Sequence, residues 1–210
     1  MRSPSYDARV WTLGPRWHDE DELASAWRAA TPFPHLVFDD FLCEDELAAL
    51  LAVLDEEGVE PYRGDILRFE ASRPDPATAE FRAVRDAFNA ALAPLLSRVT
   101  GKSVSRVDMR AYAYRPGHYL LPHSDHQDGL ARALAYAYYL PSPEPPRGGE
   151  LELFRCGLDA TGAIVSTTSA ALIDPRDNRL VVFDVSDVSL HQVREVLAGL
   201  RISLAGWFYP

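Results

Sequence analysis

The sequence predicts an α+β protein in which helices pack on one face of a closed double β-sheet. The first half of the 210-residue chain repeats apolar residues at helical spacing, most clearly over 77–99. After Gly101, short stretches of alternating apolar and polar residues are separated by Gly, Pro, Asp and Asn. A succession of about eight strands without intervening helices is typical of a sandwich or a barrel.

The predicted helices lie in the first hundred residues. We expect helices over 18–30, 43–57 and 77–99, and short strands over 35–38 and 65–70. The first helix ends at Thr31, because a residue that precedes proline avoids the α region. Pro94 lies inside the third helix and is expected to kink it. These elements predict a helical layer that precedes the sheet in the chain.

The second half of the chain predicts strands, near 105–115, 119–125, 132–140, 149–155, 163–172, 179–184, 189–195 and 200–209. The sequence shows no internal repeat and no clear linker. We therefore expect one domain over 1–210, divided into an N-terminal extension over 1–31, a helical support layer over 32–100 and a β core over 101–210.

Composition excludes several classes of protein. With 21 basic and 31 acidic residues, the net charge is −10, so a nucleic-acid binder, which needs a clustered basic surface, is not expected. No apolar run approaches the roughly 20 residues of a membrane helix, and the polar start over 1–11 lacks the apolar middle of a signal peptide. Cys43 and Cys156 are far apart and lack metal-site spacing, which predicts a reducing, cytoplasmic location. The sequence leaves the oligomeric state open.

Two His-x-Asp triplets follow one another, His123-Ser-Asp125 and His126-Gln-Asp128. In a strand, residues i and i+2 point to the same face. His123 and Asp125 close an extended stretch, whereas the second triplet lies in a polar turn where no such alignment is enforced. Strand register therefore favours His123 and Asp125 as the pair that converges on one point.

His191 lies in a later predicted strand and is the candidate third ligand. Two imidazoles and one carboxylate on one face form the facial triad of non-haem Fe(II), which leaves positions open for substrate and oxygen. Each histidine taken alone is also compatible with a satisfied core residue or a surface residue. A metal-free β-barrel that acts as a binding module is therefore an alternative.

Arg201 opens the last predicted strand, where alternation puts Arg201, Ser203 and Trp207 on one face. A guanidinium buried in a barrel is costly unless an anion meets it, and the planar fork of arginine suits a carboxylate. The pattern predicts an anion pocket beside the metal site. An arginine in a structural ion pair, or one that faces water, is the other interpretation.

The spaced set of His123, Asp125, His191 and Arg201 resembles the Fe(II)- and 2-oxoglutarate-dependent dioxygenases and is most similar to their prolyl-hydroxylase-like branch. That resemblance implies a double-stranded β-helix (jelly-roll) core with an N-terminal helical layer packed on one sheet. An arginine at 201, where collagen-type members usually carry lysine, brings the match closer to the oxygen-sensing and ribosomal-protein-modifying branches.

Further stretches carry the same resemblance, which covers roughly 32–210. The stretch 114–125 is similar to the branch's pattern of a tyrosine, a glycine three residues later and the His-x-Asp motif. The stretch 132–140 resembles its next strand, and 148–154 resembles its Gly-Gly-x-Leu strand.

The resemblance implies an enzyme that uses Fe(II), 2-oxoglutarate and O2. The implied catalytic residues, which are also the metal ligands, are His123, Asp125 and His191. The implied reaction hydroxylates an unactivated C–H bond, with release of succinate and CO2. A prolyl residue in a protein or peptide is the implied substrate, and a free amino acid or a small biosynthetic intermediate is the alternative.

Six residues are expected from the resemblance to form the 2-oxoglutarate pocket: Arg201, Tyr139, Tyr114, Leu151, Val193 and Trp207. Arg201 and Tyr139 are expected to bind the far carboxylate, and Tyr114 to be a second polar contact near the iron. Leu151 and Val193 are expected to form apolar walls, and Trp207 to close the back of the pocket.

Overall fold

The computed structural model describes residues 11, 13, 17 and 19–210 of the chain. Part of the predicted extension over 1–31, including the start of the first predicted helix at residue 18, lies outside the described residues. None of the described helices combines the length with the hydrophobicity that crossing a bilayer requires.

The helices are α1 (Glu20–Ala29), α2 (Glu44–Leu54) and α3 (Ala79–Thr100), each within or close to a predicted helix. Asp19 caps α1 and Thr78 caps α3, and each side chain accepts a hydrogen bond from a backbone N–H of the first turn. Gly101, with a φ of 73°, ends α3 in the left-handed conformation that glycine tolerates best. Pro94 lies inside α3, which continues to Thr100.

The strands are β1 (His35–Phe38), β2 (Glu60–Arg63), β3 (Leu67–Ala71), β4 (Arg106–Val107), β5 (Arg110–Tyr114), β6 (Tyr119–His123), β7 (Leu134–Leu140), β8 (Arg147–Gly148), β9 (Leu151–Leu158), β10 (Ile164–Ile173), β11 (Arg179–Asp184), β12 (His191–Val193), β13 (Val196–Ala198) and β14 (Arg201–Tyr209). Every strand region predicted in the second half overlaps an observed strand. Strands β2, β8 and β13 were not predicted. Strand β2 joins the main sheet, whereas β8 and β13 form a separate two-stranded ribbon.

The sheet is antiparallel and curled, with its strands in the order β1-β11-β7-β14-β5-β3-β6-β12-β9-β10. Strand β2 pairs with β3, and β4 pairs with β14. One cavity is lined both by β5, β7 and β14 and by β6, β9 and β12, so the two halves of the sheet face each other across it. The predicted architecture, a double-stranded β-helix with helices on one face, is confirmed.

Strand β7 separates two cores, because all seven of its residues are buried. One face packs in the core shared with the helices and carries Leu134, Tyr136, Tyr138 and Leu140. The other face packs inside the curled sheet and carries Ala135, Ala137 and Tyr139. Phe88 of α3 is fully buried against Tyr136, with ring centroids 4.8 Å apart. Burying a side chain of this size stabilises the fold by roughly 1.5–3 kcal/mol.

The segment over 32–100, predicted as a helical support layer, also contributes strands to the main sheet. Strand β1 pairs with β11. Strand β3 lies between β5 and β6, with Glu70 opposite Ala113 and Leu67 opposite Leu120. The support layer and the β core therefore share one sheet.

Candidate active site

Strand pairing brings three predicted ligands together. Strand β6 ends at His123 and β12 begins at His191, and the two histidines are register partners in the antiparallel pair. Their ring centroids are 4.3 Å apart. Asp125 follows two residues after His123, and one ligand atom from each of the three residues lies within 4.8 Å of the others.

Both imidazoles are held by backbone carbonyls. His123 Nδ1 lies 2.9 Å from Leu121 O, and His191 Nδ1 lies 2.9 Å from Ser189 O. Because a carbonyl oxygen can only accept, each Nδ1 is the donor, which leaves Nε2 to act as a ligand. The two Nε2 atoms lie 3.6 and 3.4 Å from the carboxylate oxygens of Asp125.

The electrostatics of this cluster suit a cation. Burial alone would raise the pKa of Asp125, but the adjacent His123 and His191, which attract the carboxylate when they are protonated, outweigh it and lower that pKa to about 2. Burial lowers the pKa of His191 to about 4. Burial also opposes the charge of His123, yet the neighbouring Asp125 carboxylate raises the His123 pKa. At neutral pH an ionised carboxylate and a neutral His191 are therefore ready to bind a metal.

Three serines join the two segments that carry the ligands. Ser124 Oγ donates to Ser186 O at 2.8 Å and accepts from the His126 N–H at 3.1 Å. Ser189 Oγ also donates to Ser186 O, at 2.9 Å, and the Ser189 carbonyl accepts from His191. Sequence reasoning did not identify this network, because serines in turns carry no distinctive local signal.

The second triplet lies away from the cluster. The Asp128 side chain is fully exposed, and that of His126 is 40% exposed. His126 Nε2 lies 4.0 Å from Asp128 and 3.4 Å from Asp187, and neither His126 nor Asp128 lines the cavity. The register argument thus selected the triplet that the structure buries.

The triad opens into a cavity of about 370 Å³ inside the curled sheet. Five of the six residues expected in the cosubstrate pocket line it, namely Tyr114, Leu151, Val193, Arg201 and Trp207. The sixth, Tyr139, is fully buried next to Arg201, with its ring centroid 4.9 Å from the guanidinium carbon. The pocket predicted from scattered residues is therefore one continuous space that also contains the triad.

Arg201 is buried without a carboxylate partner. It is 3% exposed, and its guanidinium carbon lies 4.7 Å from the Tyr114 ring centroid. Within the described residues, its only side-chain hydrogen bond goes from Nη1 to Ser203 Oγ, at 3.3 Å, and Arg201 Nε and the Tyr139 hydroxyl have no partner. Because an unpaired buried charge is costly, this end of the cavity fits a carboxylate.

These observations fit Fe(II) at the triad and the far carboxylate of 2-oxoglutarate at Arg201. They do not favour the metal-free binding module, which needs one triad member to point away from the others. Tyr114 is buried beside Arg201, and burial raises the pKa of its hydroxyl, so it stays protonated and able to donate.

Several cavity residues were missed from the sequence. Arg132 Nη1 donates to Asp125 O at 3.0 Å, and the Arg132 guanidinium lies 3.6 Å from the Trp207 ring centroid. Arg110 and Tyr112 line the cavity from β5. Alternation along β5 is the signal that puts Arg110 and Tyr112 on the same face as Tyr114.

Comparisons with known proteins agree with this geometry. A family model described as the 2OG-Fe(II) oxygenase superfamily matches residues 109–209. Two curated relatives are the prolyl 3-hydroxylases OGFOD1 of Xenopus laevis and Mus musculus. Both are 32% identical to this chain, the first over 86% of it and the second over 90%. The chain spans 35% and 37% of the lengths of these two relatives.

Solved structures share the fold. A Pseudomonas putida prolyl-4-hydroxylase aligns with a TM-score of 0.65 and 26% identity, covering 89% of this chain and 98% of its own. A Trichoplax adhaerens prolyl hydroxylase, solved with a peptide fragment of the hypoxia inducible factor oxygen degradation domain, aligns with a TM-score of 0.66 and 16% identity over 92% of both chains. At 16% identity, the likeness to the Trichoplax adhaerens protein shows the fold alone.

Proposed function

The chain belongs to the 2OG-Fe(II) oxygenase superfamily, in its prolyl-hydroxylase-like branch, and we propose that it is an Fe(II)- and 2-oxoglutarate-dependent hydroxylase of a prolyl residue in a protein or peptide. The observation that carries the proposal is the convergence of His123, Asp125 and His191 in the cavity that also contains Arg201.

The triad is the proposed metal site and catalytic centre. His123 and His191 bind Fe(II) through Nε2, and the backbone carbonyls that accept from Nδ1 hold each ring in the required tautomer. Asp125 supplies the charged ligand, and its lowered pKa keeps it ionised. When bound, Fe(II) and 2-oxoglutarate together supply activation of O2 and yield succinate and CO2.

The other end of the cavity is the proposed cosubstrate pocket. Arg201 binds the far carboxylate, and the buried Tyr139 hydroxyl donates a hydrogen bond to it. Leu151 and Val193 exclude water from the space between this carboxylate and the metal site. Tyr114 donates from the cavity wall.

Trp207 was expected to close the back of this pocket, but it lies toward the metal end of the cavity, six strand residues from Arg201 and next to Asp125. Its buried Nε1 has no hydrogen-bond partner with regular geometry among the described residues, yet it lies close enough to Asp125 to help lower the pKa of that carboxyl. Arg132 covers the Trp207 ring and so limits its movement. Trp207 therefore orients the carboxylate ligand as well as filling space.

Relatives and neighbours support the choice of substrate. Two prolyl 3-hydroxylases and one prolyl-4-hydroxylase are similar to this chain. A free amino acid is not favoured by these comparisons.

Cys43 and Cys156 are both free, which supports a reducing compartment such as the cytoplasm.

The test is succinate release from 2-oxoglutarate in the presence of Fe(II), O2 and a pool of prolyl peptides, with mass spectrometry for a gain of one oxygen. Arg201→Leu is expected to raise KM for 2-oxoglutarate by about 10- to 100-fold, since it removes charge-assisted hydrogen bonds. Arg155→Leu, at a more exposed arginine on β9, is the matched control. Equal succinate release with and without Fe(II) would refute the proposal.

A further inference from the structure

We propose that Arg110 anchors a carboxylate of the substrate, so that the enzyme prefers an acidic side chain near the target prolyl residue. This inference rests on the proposed function and specifies the substrate class for the same cavity.

Arg110 and Arg201 lie on the same inner surface but far apart along it. In the β5–β14 pair, Arg201 is opposite Tyr114 and Arg110 is opposite Ala205. Both arginines line the cavity, and four residues along the strands separate them by about 13 Å. A five-carbon dicarboxylate held by Arg201 does not span that distance, so Arg110 is available to a second molecule.

The Arg110 guanidinium is fixed in place but has free donors. Its Nε donates to Ser72 O at 2.7 Å, and its guanidinium carbon lies 4.7 Å from the Tyr62 ring centroid and 5.5 Å from that of Tyr112. Neither terminal nitrogen has a hydrogen bond or an ion pair with any described residue, and Nη2 is buried. Because Nε is used and Nη2 is buried, Nη1 is the terminal nitrogen that a ligand can reach, and it is preorganised for a charge-assisted hydrogen bond to a carboxylate.

The acidic side chain nearest in sequence is already engaged elsewhere. Asp108 Oδ1 accepts from the Trp207 backbone N–H at 2.6 Å, and Asp108 Oδ2 accepts from the Tyr209 hydroxyl at 2.8 Å. Asp108 forms no ion pair with Arg110 within 4.0 Å in the described structure. The protein therefore leaves the charge of Arg110 for a ligand.

The charge of the cavity opposes the charge of the whole chain. The chain carries −10, yet the cavity lining contains three guanidinium groups and one carboxylate, those of Arg110, Arg132, Arg201 and Asp125. In the proposed function Asp125 is a metal ligand and Arg201 binds the cosubstrate. Arg132 stacks on Trp207 and donates to the backbone, so Arg110 is the remaining cation for a substrate anion.

The surroundings of Arg110 favour a peptide as the source of the carboxylate. Tyr62 and Tyr112 flank the Arg110 guanidinium, and the Phe69 ring packs against both, with ring centroids 5.8 and 5.3 Å away. An apolar rim beside a cation suits an extended chain that carries an acidic side chain better than a small free acid. A free amino acid offers the same carboxylate chemistry, so the experiment includes it.

The experiment measures binding by isothermal titration calorimetry to the full chain loaded with Mn(II) and 2-oxoglutarate in the absence of O2. The probes are N-acetylated, C-amidated heptapeptides with a central proline and one Glu at each other position in turn, each with a Gln counterpart. L-proline and prolinamide form the free amino acid pair.

We expect one Glu peptide to bind about 10- to 100-fold more tightly than its Gln counterpart. Arg110→Leu should abolish that difference, and Arg110→Lys should retain part of it. Arg115→Leu is the matched control, because Arg115 lies just beyond β5, is exposed and pairs with Glu70. It should keep the full difference.

Two results would overturn the proposal. In the first, every Glu peptide binds no better than its Gln counterpart and L-proline binds no better than prolinamide. In the second, the preference for the carboxylate survives in Arg110→Leu. An Arg110-dependent preference for L-proline over prolinamide alone would support the anchor and assign the carboxylate to a free amino acid. Failure of 2-oxoglutarate to bind the Mn(II)-loaded wild type would instead refute the proposed function, so the two failures are distinguishable.

Discussion

Two His-x-Asp triplets adjoin in this chain, and the structure treats them in opposite ways. Asp125 and His191 are buried with His123 around one point, whereas His126 and Asp128 lie in an exposed turn. The difference shows that the motif itself does not make a metal site. Strand pairing makes it, because β12 supplies the third ligand opposite His123.

Their electrostatics differ for the same reason. Within the buried cluster, low dielectric strengthens each interaction, which is why the Asp125 pKa falls to about 2 despite burial. The exposed contacts of His126 with Asp128 and Asp187 are screened by solvent and contribute little. Four experiments test this comparison.

The largest expected effect comes from Asp125→Asn compared with Asp128→Asn. Loss of the charged ligand should weaken Mn(II) binding by at least about 100-fold, because residues that only orient metal ligands are already worth 10- to 100-fold. Asp128→Asn should leave binding unchanged. Electron paramagnetic resonance of free Mn(II) measures both, and equal losses in the two variants would contradict the comparison.

Metal binding should also stabilise only proteins with an intact first triplet. Mn(II) at 100 times its Kd should raise the free energy of unfolding by about 2.7 kcal/mol. For a chain of this length that corresponds to a rise in Tm of roughly 5–10 °C. We expect this rise in the wild type and in His126→Gln, but not in His123→Gln. A thermal melt monitored by circular dichroism decides, and a similar rise in His123→Gln would argue against the site.

Ser124→Ala should have a smaller effect, since Ser124 joins the two ligand-bearing segments without being a ligand. We expect about a 10-fold loss in Mn(II) affinity and a fall of about 1 kcal/mol in the free energy of unfolding. Ser142→Ala, which removes a comparable hydrogen bond in another loop, is the control and should not change Mn(II) affinity. An unchanged affinity in Ser124→Ala would show that the serine network does not position the ligands.

His118 tests whether burial alone makes a histidine a ligand. It is buried near Arg68, Glu70 and Arg115, and burial lowers its pKa below the usual 6.5. His118 therefore binds a proton more readily in the unfolded chain than in the folded protein. The stability contributed by neutral His118 is present above pH 6.5 and is lost as the pH falls below that value.

We expect His118→Gln to reduce the loss of stability between pH 7.5 and 5.5 and to leave Mn(II) binding unchanged. Urea unfolding at the two pH values measures the first effect, with His126→Gln as the control for an exposed histidine. Weaker Mn(II) binding in His118→Gln would show that this buried histidine contributes to the metal site.

Much of the fold was predictable because its elements have local signals. Apolar spacing predicted α3, and alternation predicted β14 with Arg201 on the inner face. The ribbon of β8 and β13 was not predictable, since strands of two and three residues are defined by their pairing rather than by their composition. Strand β3 was predicted as a strand, but not its place between β5 and β6.

The sequence by itself determined the helices, most strand positions, and the choice of His123 and Asp125 over the second triplet, because these depend on residues close together in the chain. Only the tertiary structure decided that His191 faces His123 and that no carboxylate of the described residues pairs with Arg201. It alone also shows that Arg110 lines the cavity with terminal nitrogens that have no partner among the described residues. Partners distant in sequence meet through pairing and burial across the whole sheet, and no local pattern records which polar groups that packing leaves unpaired.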